Sequence, residues 1–331
     1  MTLVELLVAM ALAGLVAVAA VSALVVGRRG FGTVDAASQV RDNARFAVDI
    51  IQRLTLQAGY RDIVFAASLH PVEAVEVTEG AEPGVGGFNN ATPSPSDPAR
   101  KPVARSPGLA GSSGPVGYGS DMLVLRYQSS STASLAASSA SAYGASDESM
   151  IDCAGNPASA PASRGDQIVS VLHVATGADG EPALMCTVAS KALASAQPVV
   201  KGVENFQVLY GVDNVYPGTP TPPSTPRANL ANRYLRADEM VVSGDAVATA
   251  ANWRRVRSLR IGMVLRSSPG AAKVAGSQVL YPLGRTSSLA GTTGSGFSAP
   301  ADPGTVFQVE SDGRVRQVVT FTVHLRNEQD V

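Results

Sequence analysis

MTLVELLVAMALAGLVAVAAVSALVV, residues 1–26, opens the chain and decides its fold. From Leu3 to Val26 the residues are apolar except for Glu5 and Ser22. This run spans 24 residues, and about 20 residues suffice for an α-helix to cross a bilayer. The sequence therefore predicts a membrane-spanning helix over residues 3–26.

The charges around this apolar run bear on the orientation of the chain. A secretory signal peptide would have a shorter apolar region behind a basic N-terminal region. Here no basic residue precedes the run, and Arg28 and Arg29 follow it. By the positive-inside rule these two arginines would keep the following residues in the cytoplasm. A domain outside the cytoplasm is therefore expected only if a short basic leader preceded Met1 and was removed.

Glu5 is the ionisable residue within the apolar run. A carboxylate costs about 2.5–3.5 kcal/mol at mid-membrane and less near an interface. The residues alone leave two interpretations open. Either the carboxylate lies near the lipid headgroups, stabilised by the dipole of the helix N-terminus, or it has a specific partner and a function.

A second helical pattern continues the first. Apolar side chains recur at three- and four-residue steps, at Val40, Ala44, Ala47, Ile51, Leu54 and Ala58. Polar side chains mark the opposite face, at Arg41, Asp42, Arg45, Asp49 and Gln52. Gly59 is a stop signal. We expect an N-terminal helical unit of residues 1–59, amphipathic over 34–58, followed by a β-rich domain of residues 60–331.

Beyond residue 60 the pattern becomes extended. Alternating apolar and polar residues, or runs rich in β-branched residues, predict six strands. They are Asp121–Gln128, Gln167–Ala175, Ala183–Val188, Val203–Tyr210, Val256–Arg266 and Arg314–Arg326. Stretches rich in small residues and proline predict surface loops over residues 80–119, 129–149, 217–226 and 267–304. His324 falls on a face of the last strand and is expected to be a strand-surface residue.

Composition excludes several classes of function. The net charge of −1 provides no basic face for nucleic acid. The three histidines are far apart, and no Gly-x-Ser-x-Gly motif or metal-ligand spacing occurs, so we expect no enzyme, no metal and no cofactor. If the domain lies outside the cytoplasm, Cys153 and Cys186 are expected to form a disulfide; the alternative is two unrelated buried thiols.

The N-terminal residues Met1–Leu12 resemble the mature start of type IV pilins and of type II secretion pseudopilins. Later sequence segments resemble the PilW family of minor pilins, notably Asp121–Tyr127, Val203–Asp213, Trp253–Val256 and Val323–Asn327. This resemblance implies an α+β pilin fold, in which a long N-terminal helix packs on an antiparallel β-sheet domain with long loops.

The resemblance also implies roles for individual residues. Met1 would be the mature N-terminus left by a prepilin peptidase, usually methylated in the family. Its amine would pair with Glu5 of a neighbouring subunit. Helix-packing contacts in the fibre are expected at Leu3, Leu6, Leu7 and Met10.

The implied function is that of a minor pilin that primes type IV pilus assembly and joins a tip complex. Expected partners are other minor pilins, the major pilin, a tip adhesin, the inner-membrane assembly platform and the prepilin peptidase. The expected location is the inner membrane of a Gram-negative bacterium, single-pass with a periplasmic domain, and then the pilus. The alternative is a J-type minor pseudopilin of type II secretion, which shares the N-terminal motif.

Overall fold

The computed structural model describes residues 2–62, 82–105, 116–132, 145–161, 165–189, 196–271, 277–285, 297 and 302–327. Within these ranges the α-helices are α1 (Leu3–Gln57) and α2 (Ala246–Trp253). The strands are β1 (Val85–Phe88), β2 (Ala91–Pro93), β3 (Pro102–Ala104), β4 (Met122–Tyr127), β5 (Ile168–Thr176), β6 (Pro182–Val188), β7 (Ala196–Lys201), β8 (Val203–Val212), β9 (Arg233–Leu235), β10 (Val256–Arg266), β11 (Gln278–Leu280), β12 (Phe307–Val309) and β13 (Arg316–His324).

The helix α1 is continuous over 55 residues, as the two consecutive patterns predicted. Its first part is long and apolar enough to cross a membrane. Its second part buries the predicted stripe, Val40, Ala44, Ala47, Ile51, Leu54 and Ala58, each at most 3% exposed. The helix ends where Gly59 adopts a φ of +77°, a left-handed conformation that glycine adopts without steric cost.

The β-rich domain contains two main antiparallel sheets. One has five strands in the order β1-β4-β5-β6-β7, and the other has four in the order β13-β10-β8-β9. The antiparallel pairs β2-β3 and β11-β12 add two small sheets in the described part of the chain. One hydrophobic core joins both main sheets to the buried face of α1, with Leu123, Leu184, Phe206 and Ile261 among its residues. The predicted fold class is therefore confirmed.

A ring of alternating charges connects the two sheets beside β13. Its ion pairs run Glu181–Arg266–Glu204–Arg316–Asp312–Arg314 and back to Glu181, with N···O distances of 2.6–3.5 Å. The guanidinium of Arg314 donates to Glu181, and this hydrogen bond is the main reason why the pKa of that carboxyl lies below its usual value. Since Glu181 precedes β6 and its arginine partners come from β10 and the approach to β13, the ring fixes one sheet against the other.

The six predicted strands are all present, but the predictions of loops over residues 80–119 and 267–304 are wrong in the described parts, since the first contains β1, β2 and β3 and the second contains β11. Residues 85–88 form β1, which pairs antiparallel with β4, and Val85 is fully buried. The glycines there serve packing, because a Cβ at Gly87 would overlap the hydroxyl of Tyr210 and the carbonyl oxygen of Met122. Residues 217–226 lack regular structure, as predicted.

Candidate assembly site

The start of α1 is closed by a capping box. Thr2 is the N-cap; its hydroxyl accepts a hydrogen bond from the Glu5 amide at 3.4 Å. The Glu5 carboxylate accepts one from the Thr2 amide at 2.7 Å. This reciprocal pair satisfies two amides that the helix leaves without partners. Glu5 therefore has a local structural role, which the Thr-x-x-Glu spacing could have revealed from the sequence. Met1 lies outside the described residues.

The apolar side chains that follow are open to their surroundings. Leu3, Leu6, Leu7 and Met10 are 53–77% exposed. Their spacing of three and four residues places them along one face of the helix. The domain buries none of them, so this face is free to contact lipid or another helix.

Apolar exposure continues beyond the membrane-spanning run. Phe31 is 80% exposed, Val34 69% and Phe46 53%. Contact between α1 and the domain begins nearby, where the Thr33 hydroxyl donates to the Ala271 carbonyl at 2.8 Å. The helix thus presents large apolar side chains in the same region in which its other face is held by the domain.

The other end of α1 is tied to the C-terminal part of the chain. The side-chain amide of Asn327 donates to the carbonyl oxygens of Leu56 and Ala58, each at 3.1 Å. The Gly59 amide donates to the Arg126 carbonyl on β4 at 2.8 Å. The two bonds from Asn327 satisfy carbonyls that a helix C-terminus leaves free, and the bond from Gly59 ties the helix end to β4. Sequence reasoning assigned no role to Asn327, because its partners are about 270 residues away.

A disulfide lies close to this helix end. Cys153 and Cys186 are bonded, with their Cα atoms 5.6 Å apart, and both are buried. The predicted pairing is confirmed, and the alternative of two unrelated thiols is wrong. The loop that carries Cys153 is also held by α1, since the Gln57 side chain donates to the Ile151 carbonyl and accepts from the Ile151 amide, each at 3.0 Å.

The remaining chemically versatile side chains are dispersed. His173 is buried beside Thr187, and this burial lowers its pKa to about 4. His324 is exposed on β13, as expected, while His70 lies outside the described residues. Over the ranges that the structure describes, no three His, Cys, Asp or Glu side chains group as metal ligands.

Comparisons with known proteins address the family. The family model described as "Type IV Pilus-assembly protein W" matches residues 171–327, just under half of the chain. No curated protein matches the chain. Among solved structures, the type IV-like pilin TTHA1219 from Thermus thermophilus is similar at 13% identity and a TM-score of 0.39, covering 87% of this chain and 97% of its own.

The matched region begins in β5, contains the strands β6 to β13, and ends at Asn327, the residue that caps α1. Three of the four later sequence segments that resemble the PilW family lie within the matched region. Residues 171–327 thus match the family of type IV pilus-assembly protein W, which those segments had indicated.

Proposed function

We propose that this chain is a minor pilin that primes assembly of a type IV pilus and becomes part of the tip complex. The observation that carries the proposal is the match of residues 171–327 to the pilus-assembly family, in a chain whose N-terminal helix leaves a long apolar surface unburied. The helix would first anchor the subunit in the inner membrane, with the β-rich domain in the periplasm. It would then pack among other helices when the subunit enters the fibre.

The exposed apolar side chains support this two-stage use of α1. In the membrane, residues 3–26 would contact lipid. Phe31, Val34 and Phe46 lie beyond that run and are still more than half exposed. Contiguous apolar surface that stays exposed outside a membrane marks contacts with other proteins, and these side chains are available for such a surface once subunits pack together. The expected neighbours are other minor pilins and the major pilin, which would carry similar helices.

Glu5 would set the register between subunits. In the isolated chain its carboxylate is bonded to the Thr2 amide, which is neutral. In the fibre, the ammonium group of Met1 of a neighbouring subunit would pair with the same carboxylate. Breaking a buried ion pair by removing one partner costs about 3–5 kcal/mol, so subunits out of register would be disfavoured.

Two substitutions separate the charge of Glu5 from its capping role. Glutamine at the third helical position still supports a capping box, so Glu5→Gln keeps the helix start and removes only the charge. Thr2→Ala removes the Thr2 hydroxyl and keeps the charge. We expect both variants, and Glu5→Ala, to insert into the membrane. Incorporation into sheared pili, measured by immunoblot, should fall for Glu5→Gln and Glu5→Ala and remain near wild type for Thr2→Ala. Equal incorporation of Glu5→Gln would refute the charge pairing.

The function itself is tested by deleting the gene. Surface pili are scored by electron microscopy, and secreted enzymes are assayed in the same culture. Loss of pili and of twitching with normal secretion is the expected result. Normal pili with proteins retained in the periplasm would refute the minor-pilin proposal in favour of a J-type pseudopilin of type II secretion.

A further inference from the structure

The four-stranded sheet ends at β13, whose outer edge pairs with no strand in the described part of the chain. The nine residues of β13 pair with β10 without a register shift. One face of β13 packs on the core through Val319 and Phe321. The other face contacts the segment after β11, since the Thr320 hydroxyl donates to the Pro282 carbonyl at 2.6 Å. Both faces therefore have contacts within the domain, whereas the outer edge has no paired strand.

Two hydrogen bonds beside β13 show which of its backbone groups point outward. The Leu325 amide donates to the Arg257 carbonyl, and the Val315 carbonyl accepts from the Ser267 amide, each at 2.9 Å. Since the amides and carbonyls of an antiparallel strand point alternately to its two sides, the odd-numbered residues bond to β10. The outward backbone groups belong to Arg316, Val318, Thr320, Thr322 and His324. Within the described ranges no hydrogen bond reaches these groups.

The edge strand β7 of the other main sheet is protected in three ways. Pro198 lacks an amide hydrogen, the register with β6 shifts once, and the Lys201 carbonyl accepts from the side chain of Asn43 on α1 at 3.3 Å. Prolines, bulges and covering contacts are devices that block edge strands. By contrast, residues 317–323 of β13, QVVTFTV, contain no proline, glycine or charge. An open edge of this composition is a template for another strand.

The membrane anchor limits which strand can pair with β13. The start of β13 pairs with the end of β10, which leads to the contact between Ala271 and Thr33, whereas Asn327 follows β13 and caps the far end of α1. β13 and α1 therefore run in the same direction. An antiparallel pair of β13 strands from two copies would point their helices in opposite directions, which excludes it for two chains anchored in one membrane.

A second copy of this chain also lacks a matching edge among the described strands of its main sheets. The outer strands β1 and β9 have only four and three residues, and β7 is protected. None of them matches the nine residues of β13. A strand that covers the whole edge therefore comes from a different polypeptide.

We propose that β13 is the docking edge for one extended strand of a different subunit of the same fibre. The strand is added antiparallel, so that the sheet gains a fifth member and the partner strand runs toward the membrane. The five outward amides and carbonyls recognise another extended backbone, and β-branched residues or threonines opposite Thr320 and Thr322 give favourable cross-strand pairs. That the partner is a fibre subunit rests on the proposed function, whereas the open edge does not.

Hydrogen exchange measures the edge directly. In the purified full chain in detergent micelles, the amides of Val318, Thr320 and Thr322 should exchange about a hundredfold faster than those of Val319 and Phe321, which donate to β10. In the chain recovered from sheared pili through an affinity tag, exchange of the three outward amides should slow about tenfold or more. Equal exchange of these amides in the free and the assembled chain would overturn the proposal.

Proline substitutions test the same edge in cells. Thr322→Pro removes an outward amide and keeps the bonds to β10, and an edge strand tolerates proline at such a position. Ala196→Pro is the matched control, because Ala196 is the exposed first residue of β7, where proline is also tolerated. Both variants should insert into the membrane and keep the wild-type thermal unfolding midpoint. The number of pili should fall about tenfold for Thr322→Pro and remain at the wild-type level for the control.

The outcomes separate this proposal from the proposed function. Wild-type piliation with a folded Thr322→Pro chain would overturn strand addition and leave the minor-pilin function intact, whereas normal piliation after gene deletion would refute that function instead. If Thr322→Pro does not fold, Thr322→Lys replaces it, because lysine on an edge strand blocks pairing and keeps the backbone unchanged. Wild-type piliation with Thr322→Lys would then overturn the proposal.

Discussion

The strongest test of how the helix and the domain are joined is the substitution of Asn327. Its amide donates to the carbonyl oxygens of Leu56 and Ala58 at 3.1 Å, and more distantly to that of Gln57 at 3.5 Å. The Gln57 carbonyl also accepts from the Tyr60 amide. Asn327 is therefore the main side-chain donor to two carbonyls at the end of α1.

The expected magnitude follows from these two bonds. A typical hydrogen bond contributes about 0.5–1.5 kcal/mol net, so Asn327→Ala should lower the free energy of unfolding by about 2 kcal/mol. Asn327→Asp loses the same donor and places a negative charge at the negative end of the helix dipole. That charge costs about 0.3–1 kcal/mol more. Asn327→Asp should therefore be the more destabilising variant, at about 3 kcal/mol.

Urea unfolding of the full chain in detergent micelles measures this difference. Trp253 is the sole tryptophan, is 8% exposed, and packs against Tyr210 in the core, so its fluorescence reports on the domain. Asn43→Asp is the control, because Asn43 makes one exposed bond of 3.3 Å to the Lys201 carbonyl, and it should cost less than about 0.5 kcal/mol. The reasoning fails if Asn327→Asp is no worse than Asn327→Ala, or if both unfold like wild type.

Two further properties can be checked on the same preparation. The disulfide closes a loop with a sequence separation of 33, so the double variant Cys153→Ser, Cys186→Ser should lose about 4 kcal/mol of its free energy of unfolding. The unreduced wild type should react with no thiol reagent, and ready labelling would contradict the disulfide. Burial lowers the pKa of His173 to about 4, whereas in the unfolded chain it is about 6.5. The free energy of unfolding should therefore fall by up to about 3 kcal/mol as the pH is lowered from above about 6.5 to about 4. The free energy of unfolding of His173→Gln should not show this fall, and coinciding pH profiles of the two proteins would refute the prediction.

Local patterns predicted the elements whose side chains follow a simple period. The stripe from Val40 to Ala58 and the six strands are long enough for their alternation to be recognised, and each is present. The strand β1 escaped prediction because its Val-Gly-Gly-Phe sequence resembles a loop. Of its two glycines, Gly87 is required by the Tyr210 side chain, which comes from a strand more than 100 residues later. β7 contains Pro198, and a proline within a short run weakens the strand signal although an edge strand tolerates it.

The site residues also divide into those that a local sequence signature identifies and those whose contacts depend on the fold. The Thr2–Glu5 capping box has a local signature, the Thr-x-x-Glu spacing, but sequence reasoning considered only the helix dipole and a partner in another subunit for Glu5. By contrast, no local pattern could connect Asn327 with Leu56. That contact exists only because α1 packs beside β13 in the folded domain. A short-range motif can therefore be read from one sequence, whereas a cap supplied by a residue about 270 positions away requires the fold.

The way in which the domain holds α1 explains how one helix can serve two environments. Four of its buried residues are alanines, Ala36, Ala44, Ala47 and Ala58, which allow the helix backbone to lie close to the strands. The helix contacts β13 and β10 of one sheet and β7 and β4 of the other. A force along α1 is therefore carried by both sheets, which the charged ring beside β13 holds together. The domain contacts only one face of α1, in its second part, from Ala36 onward. The opposite face and the apolar first part therefore remain free for lipid or for neighbouring helices.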